Sequence, residues 1–247
     1  SIVDPVCARL RQPELLSSQV VGGPFSGKTS LLRWLASPYA DEALGQAAGT
    51  VRVYVDATVL GADATPPQFW RLACRELRQS PAGAALLDVQ AELRTTLATA
   101  LTRAAAGQLD IFDLQDLFDG FAKLGRPVVL MVNAFDTVIA NPHFLPPAEF
   151  FNQVRNLCNR SPRGLAFVVG SGRPLSDVGA AAAGPSPPYN HFGTIPMDPL
   201  CEDDVRAQLA AWAQVAGVPP SDESAAMVMR LSGGQPLLAS HLMHQLV

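Results

Sequence analysis

Lysine is rare in this chain. Of 18 basic residues only Lys28 and Lys123 are lysines, and the other 16 are arginines. Lys28 falls where an ammonium on a flexible stem has an obvious chemical use, in the run Gly22-Gly23-Pro24-Phe25-Ser26-Gly27-Lys28-Thr29-Ser30. Glycines near both ends let the backbone curl until successive N–H groups point into one concavity, and the helix that follows adds the positive end of its dipole. Such a loop cradles a phosphate chain. Its lysine reaches the outer phosphoryl oxygens, and the Thr29 hydroxyl is placed to ligate Mg²⁺. The plainer reading is a glycine-rich turn between strand and helix that binds nothing.

A cradle that hydrolyses its ligand also needs an acidic residue at the end of a neighbouring strand to hold the metal, usually followed by a glutamate that polarises water. The apolar run Val128–Val132 reads as that strand, and Asn133-Ala134-Phe135-Asp136 follows it. Asn133 offers a metal a dipole in place of a charge, and Ala134 cannot take a proton. Loss of a general base commonly costs about 10²–10⁴ in rate. Asp136 either reaches the metal or caps the next helix. Asp56, at the end of an earlier strand, is another carboxylate at the same edge or a turn residue. Thr29, Asn133 and Asp136 are therefore the candidate Mg²⁺ ligands, and hydrolysis is expected to be weak or lost.

The elements that must position these residues alternate in period. Short apolar runs at 19–22, 51–56, 127–132, 165–170 and 194–196 predict strands, and helical patterns at 28–36, 68–79, 89–105, 114–124 and 149–159 lie between them. The runs at 128–132 and 165–169 are continuously apolar, as in a parallel sheet covered on both faces. From residue 198 the pattern is helical only, at 202–216, 222–231 and 236–247. The expected division is an α/β core over 1–197 and a small helical lid over 198–247. The stretch 179–190, rich in Ala, Gly, Ser and Pro, predicts a loop. The chain starts without Met and stops within a helical pattern, so it is expected to be a piece of a longer protein.

Composition limits the classes of function. With 247 residues, 48% hydrophobic and 16% charged, the chain can bury a core. Its net charge of −4 and pI near 5.5 carry no domain-wide basic footprint for nucleic acid, although a local patch is compatible with them. No apolar run approaches the roughly 20 residues of a membrane helix, and no signal peptide is legible, so a cytoplasmic location is expected. Cys7, Cys74, Cys158 and Cys201 lack paired spacing and read as reduced thiols. His241 and His244 have no acidic or thiol neighbours of metal-binding pattern and read as surface residues.

Taken together, these segments resemble the STAND group of P-loop ATPases, in the AAA-related superfamily, and most of all the bacterial AAA-like ATP-binding modules of multidomain signalling and defence proteins. Residues 21–33 look like that group's first motif. Asn133-Ala134-Phe135-Asp136 is similar to its Asp-Glu-Phe-Asp, departing at the first two positions, so the Walker B motif is degenerate. Val168-Val169-Gly170-Ser171-Gly172-Arg173 looks like the strand bearing a sensor residue, Tyr189-Asn190-His191-Phe192 like a segment common in these modules, and Gly233-Gly234-Gln235-Pro236 like the Gly-x-Pro motif of the lid. The resemblance implies a P-loop NTPase α/β sheet sandwiched by helices, followed by a helical lid. It also implies ATP or ADP as ligand, with Mg²⁺ possible. Ser171 would contact the γ-phosphate or simply end a buried strand. Arg173 would touch phosphate or form a surface ion pair, and Pro236 would pack near the base.

The implied role is a nucleotide-dependent conformational and oligomerisation switch. Its partners would be fused effector and sensor domains beyond this chain, with self-association on activation and neither membrane nor nucleic acid as partner. A nucleotide-independent scaffold, an active ATPase relying on another acidic residue and a phosphotransferase are the competing classes.

Overall fold

The structure, a computed structural model, describes residues 3–144, 147–160, 164–178, 188–217 and 221–246. In chain order, α1 (Val3–Leu10) precedes β1 (Ser18–Val21), and α2 (Lys28–Ala36) and the single turn α3 (Asp41–Leu44) lead to β2 (Val51–Asp56). Four helices follow: α4 (Pro66–Gln79), α5 (Pro81–Val89), α6 (Ala91–Ala105) and α7 (Ile111–Lys123). Then come β3 (Val128–Asn133), α8 (Phe135–Ile139), α9 (Pro147–Arg160), β4 (Leu165–Ser171), α10 (Leu175–Val178) and β5 (Gly193–Pro196). The chain closes with α11 (Glu202–Ala216), α12 (Asp222–Ser232) and α13 (Pro236–Leu246).

All pairings are parallel, in the order β2-β3-β4-β1-β5. Burial follows position in the sheet. Every residue of β4 is buried and only Asn133 of β3 is partly open, whereas β2 at one edge alternates, with Val51, Val53 and Val55 inward. Central strands covered on both faces need continuous apolar runs, and edges do not. β1 is central yet polar, and its polar groups are satisfied. Ser18 Oγ accepts from Arg9 Nε at 2.9 Å, Gln19 Nε2 donates to Thr194 Oγ1 at 2.6 Å, and Gln19 Oε1 accepts from Leu175 N at 2.9 Å. Those bonds fix the strand from which the glycine-rich loop departs.

The core is aromatic. Phe69, Trp70, Phe118, Phe135, Phe150, Phe151 and Phe167 are buried and meet largely edge to face, as Phe69 does with Phe150 at 5.5 Å and 90°. The helix that the sequence predicts over 89–105 is α6, which starts two residues later because Gln90 is extended (φ −112°, ψ 90°); α5 before it is a further helix that the sequence pattern does not predict. α5 begins with Pro81 after Ser80, whose hydroxyl accepts from Gly83 N, an N-cap that is easily taken for a turn signal. Of the predicted loop at 179–190, residues 179–187 lie outside the described residues and Pro188–His191 forms a 3-10 turn.

By its contacts the chain divides into two compact units, residues 1–21 with 29–196, and residues 22–28 with 197–247. In the second, Val205, Leu209, Ala225, Val228, Ala239 and Met243 form a core of their own. α12 ends at Gly233 (φ 58°), and Gly234 (φ 77°) passes so close to Leu200 that a Cβ there would lie 2.4 Å from the Leu200 carbonyl oxygen. Leu200 N in turn donates to Gly234 O at 2.7 Å. Residues 22–28, which the sequence places in the α/β core, thus group with the helical segment.

Candidate functional site

The loop of residues 22–27 is shaped by its glycines and one strained residue. Gly27 takes φ 94°, which suits glycine, and Phe25 takes φ 62°, where a bulky side chain is uncommon. Phe25 is also 64% exposed. At Gly22 an added Cβ would lie 2.6 Å from Ser26 Oγ and 2.7 Å from Met197 Cβ, so only glycine lets the loop close. The Lys28 ammonium donates to Gly22 O at 2.6 Å, to Gly23 O at 2.7 Å and to Ser26 Oγ at 3.3 Å. Pro236, the first residue of α13, lies beside this loop, 4.0 Å from where a Gly27 Cβ would be. The first turn of α2 holds no acidic residue, so nothing in it offsets the positive end of the helix dipole. Curled backbone, ammonium and helix start together fit a polyphosphate.

A second polar assembly lies at the carboxyl edge of the sheet, in the first unit. β2 and β3 run in register with Asp56 opposite Asn133, and Val21 lies opposite Ser171. The Thr29 hydroxyl donates to Asn133 Oδ1 at 3.0 Å, and Asn133 Nδ2 donates to Asp56 Oδ1 at 3.3 Å. Asp56 Oδ1 also accepts from Thr58 N at 3.2 Å and from Thr58 Oγ1 at 2.7 Å. Burial alone would raise the Asp56 carboxyl. The two Thr58 bonds, the Asn133 amide and the nearby Arg33 outweigh it and hold the carboxyl below its ordinary value. Asn133 thus joins a hydroxyl placed for a metal to a carboxylate one strand away. The oxygens of Thr29 and Asn133 suit a hard cation such as Mg²⁺, but neither is charged. Among the described residues no three His, Cys, Asp or Glu side chains converge as a metal site.

Asp136 stands apart from this assembly. The helix cap before α8 is Ala134, in left-handed conformation (φ 54°), so the capping role considered for Asp136 is corrected. Asp136 lies inside the first turn, where its Oδ2 accepts from Gly172 N at 2.9 Å and ties α8 to the end of β4. Ser171 is fully buried, and its hydroxyl has no hydrogen-bond partner among the described residues. Arg173 is exposed and forms no ion pair among the described residues. The Thr29–Asn133–Asp56 line was only half legible in the sequence. Asp56 and Asn133 both end predicted strands, but their pairing depends on which strands are neighbours.

This architecture, a five-stranded parallel sheet flanked by helices with a glycine-rich loop after β1 and a helical C-terminal segment, is the P-loop NTPase fold. Solved structures with the same fold include a Walker-type ATPase of Pyrococcus abyssi, with a TM-score of 0.67 and 14% identity over 99% of this chain and 66% of that one. The ORC2 protein of Aeropyrum pernix in its ADPNP–ADP complexes gives a TM-score of 0.61 and 12% identity over 98% of this chain and 59% of that one. Its ADP form gives 0.58 and 14% over the same shares. The chain thus spans 59–66% of the length of these proteins. The sequence matches no protein-family profile and no curated protein. No described helix is long and apolar enough to cross a membrane.

Proposed function

We propose that this chain binds ATP or ADP and acts as a nucleotide-dependent switch, a STAND-like signalling module of a larger cytoplasmic protein, with hydrolysis weak or absent. The observation that carries the reading is the loop at 22–28, closed by glycine where no side chain fits and holding the ammonium of Lys28 on its own carbonyls. The structures it resembles include one with ADPNP and ADP and one with ADP, in support. The main-chain N–H groups of residues 22–28, Pro24 excepted, and the Lys28 ammonium would hold the polyphosphate. Thr29 and Asn133 would face Mg²⁺, which when bound neutralises phosphoryl charge. The Ser171 hydroxyl at the end of β4, without a hydrogen-bond partner among the described residues, and the exposed Arg173 would serve as further phosphate contacts, and Pro236 would support the loop. Asn133 and Ala134 make the Walker B motif degenerate, which is why slow turnover belongs to the reading. Fused effector and sensor domains and self-association on activation complete the role.

Titration calorimetry and thermal melting with ATP and ADP test it. Wild-type protein is stabilised by mass action, by about 2.7 kcal/mol at a hundredfold excess of nucleotide over its Kd. Lys28→Ala loses that shift. A wild type unmoved by millimolar nucleotide overturns the reading in favour of a nucleotide-independent scaffold.

A second reading, an active ATPase, draws on Asp56. Its carboxylate lies within hydrogen-bond reach of Asn133 and is held in its charged form, so it could supply from the neighbouring strand the charge that Asn133 lacks.

A further inference from the structure

α4 carries a second feature that the nucleotide reading does not use. Arg71, Arg75 and Arg78 are spaced i, i+4, i+7, so they rise along one face of the helix over about 10 Å at 1.5 Å per residue. All three are exposed, while Phe69, Trp70, Leu72, Ala73, Cys74 and Leu77 of the same helix are buried. Arg71 and Arg78 have no acidic partner among the described residues, and Arg75 is bonded only to its neighbour Glu76, at 3.0 Å. In a chain of net charge −4 this is a concentrated positive stripe.

The stripe stands between two concavities. One, of about 580 Å³, is lined by residues 59–64 together with Gln68, Arg71, Leu72 and Arg75. Its one acidic lining residue, Asp63, is fully exposed and faces His143 at 3.8 Å. The other, of about 360 Å³, is lined by the three arginines with Leu101, Thr102 and Ala105 of α6. Guanidinium groups at this spacing match carboxylates at i, i+4, i+7 of an opposing helix, each able to accept a bidentate pair. The apolar floors, Val59 and Leu60 on one side and Leu101 and Ala105 on the other, match an apolar flank beside those carboxylates.

We infer that α4 and the adjoining face of α6 form a docking surface for an acidic amphipathic helix of a partner protein. A nucleic-acid strand would meet the same arginines. Neither concavity, however, is lined by an aromatic side chain on which bases could stack, and the chain's overall charge is acidic.

The probe is a labelled alanine-based helical peptide with glutamates at i, i+4, i+7 and leucines beside them, read by fluorescence anisotropy against the intact chain. The expected result is micromolar binding that weakens with salt, is lost when the glutamates become glutamines, and falls at least tenfold in Arg71→Gln/Arg75→Gln/Arg78→Gln. Circular dichroism and melting check that this variant is folded. Should it not fold, Arg78→Gln alone is expected to weaken binding about threefold, since single exposed ionic contacts contribute roughly 0.2–1 kcal/mol. Absence of peptide binding to wild type overturns the inference. So does tighter, arginine-dependent binding of a single-stranded oligothymidylate, which would make the surface a nucleic-acid site, or concentration-dependent self-association that the triple variant abolishes.

Discussion

Three residues in line define what the sheet edge can do. Thr29, Asn133 and Asp56 are joined by bonds of 3.0 and 3.3 Å, with the amide in the middle. An amide can donate to Asp56 while accepting from Thr29, which a carboxylate could not do without a proton. Asn133→Asp would bring a carboxylate against Asp56, and the like charges would raise one of the two pKa values. If Asp56 serves only to orient Asn133, steady-state phosphate release with Mg²⁺ should rise at least tenfold in Asn133→Asp/Ala134→Glu and stay at wild-type level in Asp56→Asn. If Asp56 supplies the charge of an active site, Asp56→Asn abolishes a measurable wild-type rate. The sequence named each of these residues but could not join them, because hydrogen bonds between residues 29, 133 and 56 arise only once three separate segments meet.

At the scale of elements, the segment between α12 and α13 is the most sharply specified. Gly233 and Gly234 both take positive φ, but only Gly234 is hemmed in, by Leu200 and Pro199, while Gly233 has open space. Gly234→Ala should therefore destabilise the helical unit by about 1–3 kcal/mol in chemical denaturation, the usual cost of a forced backbone plus a clash. Gly233→Ala should cost about 1 kcal/mol from conformation alone. Equal effects would show that the approach to Leu200 carries no weight. In the sequence this motif reads as a helix stop followed by a helix start. Which of its two glycines is indispensable depends on a neighbour more than 30 residues away. The helices α4, α7 and α9 were legible from their period; their ends fall within one residue of the expected ones, and their starts lie two or three residues earlier, at Pro66, at Ile111 after the Asp110 cap and at Pro147. α5 escaped notice because Pro81, Ala82 and Gly83 weaken the helical signal that Ser80 begins.

For the folded molecule as a whole, acid should be destabilising in a way traceable to His191. Its imidazole is partly buried, Nε2 is shielded from solvent with no hydrogen-bond partner among the described residues, and desolvation first, then Arg155 and Arg9, push its pKa below the ordinary value. The unfolded chain, with an ordinary imidazole near pH 6.5, then binds the proton more readily than the native state. Stability is full above that pH and declines as pH falls through it toward the folded value. Urea midpoints followed from pH 8 to pH 5 should fall more steeply for wild type than for His191→Gln, and parallel curves would exclude this cause.

The chain alone determined the glycine-rich loop, the parallel α/β class and the helical character after residue 198, because each is written in local spacing: three glycines and a lysine in one run, apolar runs of strand length, and a 3.6-residue period. Only the folded chain decided that β1 lies between β4 and β5, that Asn133 links Thr29 to Asp56, that Asp136 secures Gly172, and that three arginines stand over two concavities. Those facts depend on which distant segments become neighbours. Strand order and side-chain pairing are set by the burial of the whole core, and no stretch of sequence records them singly.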